Sequence, residues 1–201
     1  MLVHAILSAS RANGLGLRAV VFVQGCQLGC PGCFNPETHL FRGTEIPEAK
    51  VVEVLIRAHG EHGIEGVTFS GGEPMQQADS LVALIKGLRR EAPTLSFGMF
   101  SGYTERELDE GRYSIWGRRI AAKEKRTLWD AIRALLDFAV LGRFNQLQPG
   151  SAPLRSSRNQ VLRLFSGRYL EADFARPATE VLIHETGWAE LTGFPILGLP
   201  W

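Results

Sequence analysis

Hydrophobic positions in this chain follow two periods in turn. Arg18 to Gly25 is a run of β-branched and aromatic residues that stops at a glycine, which predicts a buried strand. Ile46 to His62 spreads Val51, Val52, Val54, Leu55 and Ile56 among charged residues, with Pro47 near the start where a missing N–H does no harm, and reads as a helix. Gly66 to Ser70 returns to strand character, and Ala78 to Glu91, with Leu81, Leu84, Ile85 and Leu88 at helical spacing, makes a second helix. Leu95 to Phe100 is a third strand. A third helix is predicted from Thr127 to Asp137, with Thr127 as its N-cap and Asp130 favoured in its first turn, followed by a strand from Phe138 to Phe144. Gln160 to Phe165 and Glu180 to Ile183 read as short strands, and a turn at Thr186-Gly187 before Ala189 to Leu191 predicts a terminal hairpin.

Alternating strands and helices imply an α/β fold with a mainly parallel sheet and right-handed crossovers, which an open sheet or a partial barrel would both satisfy. At 201 residues, one domain spanning 1–201 is expected. The segment Gly111 to Arg126 breaks the rhythm and reads as an insertion: it sets Arg112, Arg118, Arg119, Lys123, Lys125 and Arg126 against Glu124 alone. Such a run is either a solvated face or a docking surface. Gln148 to Ser157, rich in Pro, Ser and Gly, is read as a long loop.

Composition narrows the class only a little. A hydrophobic fraction of 45%, a charged fraction of 21% and a net charge of +1 are those of an ordinary globular protein, and the overall charge does not suggest nucleic acid. Ala19 to Val23 is far too short to span a bilayer and follows no basic n-region or cleavage site, so no membrane role and a reducing cytoplasm are expected.

The chemistry is concentrated in the cysteines. All three stand in Cys26-Gln-Leu-Gly-Cys30-Pro-Gly-Cys33, inside a loop of about residues 24–36 that follows the first predicted strand. Soft thiolates suit iron, and a 4Fe-4S cluster held by three of them leaves one iron without a protein ligand, open to a substrate or cofactor. A disulfide framework would want an even count and an oxidising compartment. A structural zinc site would need a fourth ligand such as His39, and its ligands usually come as two separated pairs.

A second motif, Phe69-Ser70-Gly71-Gly72-Glu73-Pro74, lies where the next strand gives way to its crossover, the end at which parallel α/β folds place functional sites. Adjacent glycines let a ligand reach the backbone N–H and C=O groups, and Glu73 adds a charge; a Gly-Gly before Pro can also be a plain tight turn. Together, Cys-x3-Cys-x2-Cys and Gly-Gly-Glu-Pro resemble the radical S-adenosylmethionine superfamily. The resemblance implies a partial (β/α) barrel. It also implies a cluster on Cys26, Cys30 and Cys33 whose fourth iron is chelated by the methionyl amino and carboxylate groups, and a reduced cluster that splits the sulfonium to a 5'-deoxyadenosyl radical. Gly71, Gly72 and Glu73 match the segment that meets the methionine amino group, and Gly32, Cys33 and Phe34 match positions beside the cluster and the adenine.

A narrower likeness is carried by Cys30-Pro-Gly-Cys33-Phe34-Asn35, with Asn13-Gly-Leu-Gly-Leu-Arg18, Ser101-Gly-Tyr103, Gly142-Arg-Phe144, Asn159-Gln160 and Leu191-Thr-Gly-Phe-Pro195, from about residue 10 to 195. These resemble the anaerobic ribonucleoside-triphosphate reductase activating protein family. The resemblance implies an activase that installs a glycyl radical on a partner enzyme, expected to be the large subunit of anaerobic ribonucleotide reductase. It further implies an electron donor such as flavodoxin or ferredoxin. Asn13, Leu15, His39, Arg158 and the basic segment depart from the family's usual residues and bear on partner choice, not on the cluster. The alternatives are a radical enzyme acting on a small molecule or on another glycyl radical enzyme, and a non-catalytic iron-sulfur electron carrier.

Overall fold

A computed structural model describes residues 1–150, 152–174, 179–183, 187 and 189–193 of the chain. At its centre is a six-stranded sheet whose spatial order equals the chain order: β1 (Val3–Ser10), β2 (Arg18–Val23), β3 (Gly66–Gly71), β4 (Ser96–Ser101), β5 (Phe138–Leu141) and β6 (Val161–Leu164). The four inner strands run parallel, and β1 and β6 close the two edges antiparallel. The crossovers carry α1 (Glu48–His62), α2 (Ala78–Glu91), the short α3 (Glu105–Asp109) and α4 (Ala122–Arg133). The predicted hairpin forms from β7 (Thr179–Ile183) and β8 (Ala189–Gly193), separate from the main sheet; Thr186 of its turn lies outside the described residues.

Because strand side chains alternate, each inner strand feeds two different environments. Val21, Phe69, Phe97, Met99, Ala139 and Leu141 join Leu55, Leu84 and Trp129 in one large core, where α1 packs on α2 and α2 on α4. The intervening residues Phe138 and Val140 turn the other way and meet Leu154, Leu162 and Phe174. On that second face, near the start of the strands, Arg18 is fully buried. Its guanidinium donates to Thr68 Oγ1 (2.8 Å), Ser96 Oγ (2.7 Å) and the carbonyls of Leu15, Val67 and Ser96, with the Phe138 ring 5.1 Å away. Every guanidinium N–H direction is thereby used on neutral acceptors, which is how a buried cation stays hydrogen-bonded without a carboxylate.

Three expectations need correction. β1 is absent from the sequence reading: it is a half-exposed edge strand, irregular at two points of its register, so its pattern never alternates cleanly. The third helix begins at Ala122, not Thr127, so the tail of the supposed insertion is helix. Glu124 accepts from the Ala121 N–H (3.0 Å) to cap it, and Thr127 sits inside, donating to the Lys123 carbonyl (3.2 Å). The first turn is charged on all sides, which hid it from a search for apolar period. The strand expected to run to Phe144 ends at Leu141, and Gly142, at φ +120°, turns the chain across the strand ends. The architecture is therefore a mixed α/β sheet, mainly parallel, with a separate antiparallel hairpin.

Candidate active site

The carboxyl ends of β2, β3, β4 and β5 surround a cavity of about 610 Å³. Cys26, Cys30, Cys33 and Phe34 line it from the loop after β2, and Gly71, Gly72 and Glu73 from the turn after β3. Ser101 and Gly102 follow β4, Gly142 and Phe144 follow β5, and Ala189, Leu191 and Thr192 bring the hairpin to the same space. Motifs far apart in sequence thus converge because parallel strands all end on one side.

The cysteine loop is tied at its neck. Gly25 N–H donates to the Thr38 carbonyl (2.7 Å) and Cys26 N–H to that of His39 (2.9 Å), while the buried Gln24 side chain donates to the carbonyls of Glu37 and Leu40. Between those ties, Cys33 N–H donates to the Cys30 carbonyl (3.2 Å), and Gly32, at φ +70°, makes the turn. Gly32 itself does not line the cavity; Phe34, 41% exposed, packs against Phe144 with ring centroids 4.8 Å apart.

The two glycines have a reason the sequence did not reveal. A Cβ on Gly71 (φ +93°) would stand 2.7 Å from the Phe22 backbone, and one on Gly72 would stand 2.4 Å from the Gly25 carbonyl oxygen. The turn is pressed against the end of β2, with Gly72 N–H donating to Val23 and Glu73 N–H to Gly25. This close approach fixes the Glu73 carboxylate beside the cysteine loop. Glu73 is 1% exposed and accepts from Met75 N–H (2.9 Å), Ser101 Oγ (2.8 Å) and Gly102 N–H (2.7 Å). Burial outweighs these three donors and raises its pKa to about 7.

Whether the residues suit an iron-sulfur cluster can be judged from the donor set. Burial pushes the Cys26 thiol up to about 11 and the Cys33 thiol in the same direction, so without a cation they remain protonated. Leu28 N–H points at the Cys26 sulfur from 3.5 Å, a donor suited to a ligating thiolate. No group of three His, Cys, Asp or Glu side chains able to share one metal ion occurs among the described residues, contrary to the need of the zinc alternative. A cubane asks instead for one thiolate on each of three irons, and three cysteines lining one cavity fit it.

Other candidates settle into supporting roles. Tyr103 is buried, its hydroxyl accepting from Gln76 Nε2 (2.9 Å) and Ser114 N–H (3.0 Å). Asn159 donates to the Arg143 carbonyl, and Gln160 accepts from the Ser156 and Ser157 N–H groups, so both order the loop; Gln160 also reaches the cavity wall. His39 lines the cavity and its Nε2 is buried without a protein partner. Two residues escaped sequence reasoning. Gln76 accepts from the Gln27 N–H (3.1 Å) and so links the cysteine loop to the turn after Gly-Gly-Glu; nothing marks a glutamine beyond a motif. Ser101, which holds Glu73, was legible only as part of Ser-Gly-Tyr.

The model of the 4Fe-4S single cluster domain matches residues 12–163. An anaerobic ribonucleoside-triphosphate reductase-activating protein of Vibrio cholerae is 29% identical over 171 residues, covering 81% of this chain and 97% of that protein. Its counterpart in Escherichia coli K12 is 29% identical over 165 residues, covering 79% and 96%. A pyruvate formate-lyase-activating enzyme of Clostridium pasteurianum is 30% identical over 158 residues, covering 69% of this chain and 64% of that relative, just under two thirds of its length.

Proposed function

The chain belongs to the 4Fe-4S single cluster domain family, and from that premise we propose that it is a radical S-adenosylmethionine activase, an oxidoreductase that installs a glycyl radical on a partner enzyme. The observation that carries this reading is the convergence of Cys26, Cys30 and Cys33 with Gly71-Gly72-Glu73 on one cavity at the ends of parallel strands. The whole chain would act as one radical SAM domain, its parallel strands and crossovers forming the partial barrel of that superfamily. The partner we propose is the large subunit of anaerobic ribonucleotide reductase, the activity named in relatives matched over nearly their full length.

Each residue has a task that follows from its surroundings. Cys26, Cys30 and Cys33 would hold three irons of the cluster and leave the fourth open. Glu73, fixed by Ser101 and Gly102, would offer a buried carboxylate to the amino group of the methionyl moiety, where low dielectric strengthens the attraction. Phe34 and Phe144 offer aromatic surface for the adenine. When bound, the reduced cluster and S-adenosylmethionine supply the 5'-deoxyadenosyl radical that takes a hydrogen atom from glycine. The residues around them exclude water from that chemistry.

The cavity size supports a macromolecular substrate. A cavity of about 610 Å³ has room for a cluster and S-adenosylmethionine, and a glycine on a loop of another protein would reach it from outside. The experiment is anaerobic reconstitution with iron and sulfide, reduction, and addition of S-adenosylmethionine with the reductase subunit. The expected result is 5'-deoxyadenosine together with a glycyl radical signal by electron paramagnetic resonance. 5'-Deoxyadenosine without any protein radical would return the chain to small-molecule chemistry, and a reducible cluster that forms none would make it an electron carrier.

A further inference from the structure

The basic segment Gly111 to Arg126 is wired to the cysteine loop. Trp116 N–H and Ser114 N–H donate to the Gln76 carbonyl (2.8 Å) and the Tyr103 hydroxyl (3.0 Å), and Gln76 in turn accepts from the Gln27 N–H (3.1 Å). The Trp116 ring stacks on Phe41, centroids 5.3 Å apart and 9° from parallel, just beyond the neck of the loop. The segment is thus tied to the cluster loop through Gln76, with Tyr103 and Phe41 as further anchors.

This packing creates a second, shallow cavity of about 330 Å³ on the outer side of the loop. Its floor includes Gln27 and Leu28, and its walls carry Arg112, Lys125 and Arg143 with no acidic side chain among its lining residues. Glu110 and Glu107 pair with Arg112 and Arg143 from outside, whereas Lys125 faces the Tyr113 ring at 5.8 Å. Arg119 and Lys123 are two further cations of the same segment. Leu28 lines both cavities and packs against Gly102 beside Glu73, so one side chain separates the basic hollow from the cluster space.

We infer that this hollow is the docking site of an acidic one-electron carrier protein of the flavodoxin class. The inference rests on the proposed cluster chemistry. Hydrogen abstraction needs atoms in contact, so the glycine-bearing loop must reach the cluster cavity itself. An electron can cross a side chain, and the carrier therefore gains by binding where Leu28 lines both cavities. On transfer the reduced flavin loses one electron and the cluster gains one. Of the six basic residues in this segment Arg118 is paired with Asp79, and it is Arg112 and Lys125, with Arg143, around a hollow lined by no acidic residue that give the complementarity that steers such brief encounters.

The test titrates the reconstituted holoprotein with oxidised flavodoxin at about 0.05 to 0.3 M salt, reading affinity directly. R112E/K125E is expected to weaken binding at least about tenfold and to flatten its salt dependence, with R112Q/K125Q intermediate. Both variants should keep the cluster absorbance and the 5'-deoxyadenosine formed with dithionite. Unchanged flavodoxin affinity in both variants overturns the inference, and so does lost affinity for the reductase subunit with flavodoxin binding intact, which would hand this surface to the target. A wild-type protein that binds flavodoxin but makes no 5'-deoxyadenosine with dithionite defeats the proposed function, not the docking site.

Discussion

Arg18 and Glu73 are both buried on the same sheet, yet they do opposite work at its two ends. At the start of the strands Arg18 spends every donor direction on Thr68, Ser96 and three carbonyls, and the Phe138 ring, itself packed against Tyr169 and Phe174, lies over it. Burial lowers its pKa only to about 10, so it remains a cation at neutral pH. At the other end Glu73 faces a cavity, and burial leaves its carboxyl poised near neutrality. One buried charge closes a structure and the other lines a cavity. The difference lies in whether the surrounding protein uses up the group's hydrogen-bonding capacity.

That contrast can be broken most severely at the functional end. Replacing Cys26, Cys30 or Cys33 by Ala is expected to abolish cluster absorbance and 5'-deoxyadenosine formation, while the thermal midpoint of the apoprotein stays near that of the parent. Retained activity in any one variant would sink the assignment of ligands. At the structural end, Arg18→Ala strands two hydroxyls and three carbonyls beside a void. It is expected to cost roughly 3–5 kcal/mol of stability in chemical denaturation. A loss within experimental error would show that the plug is dispensable.

Glu73→Gln sharpens the comparison. It should weaken S-adenosylmethionine binding about tenfold or more by calorimetry, because a carboxylate facing an ammonium group is replaced by a neutral amide. It also removes a pH signature. A carboxyl raised from 4.5 to about 7 binds its proton more tightly when folded, so apoprotein stability should fall as pH climbs through that window and level off above it. Denaturation across this range should show that decline in the parent and not in Glu73→Gln.

The smallest effect belongs to Glu107. Its hydrogen bond with Arg143 pulls its pKa down to about 2, so its stabilisation is complete above pH 4.5 and fades as pH falls toward 2. The pair is partly exposed and screened, so Glu107→Gln should cost less than about 1 kcal/mol at neutral pH. A larger cost would mean that the Arg143 wall holds the cysteine loop itself.

The chain alone determined a good deal. Val21, Phe69, Leu84 and Leu88 repeat at strand or helix period, and this local pattern was enough to place α1, α2 and the inner parallel strands, since each must bury one stripe or face. That Cys26, Cys30, Cys33 and Gly-Gly-Glu would meet at the strand ends was legible because spacing and strand-end position are written in consecutive residues. Tertiary structure decided what depends on partners distant in sequence. It paired β1 and β6 antiparallel at the edges, began α4 within the charged run, and buried Arg18 under residues more than seventy positions away. It also showed that Gly71 and Gly72 are small in order to admit the backbone of β2, and that Gln76 joins the basic segment to the cluster loop. Periodicity records which way a side chain faces; which surface it meets is set only when non-local strands and turns close around it.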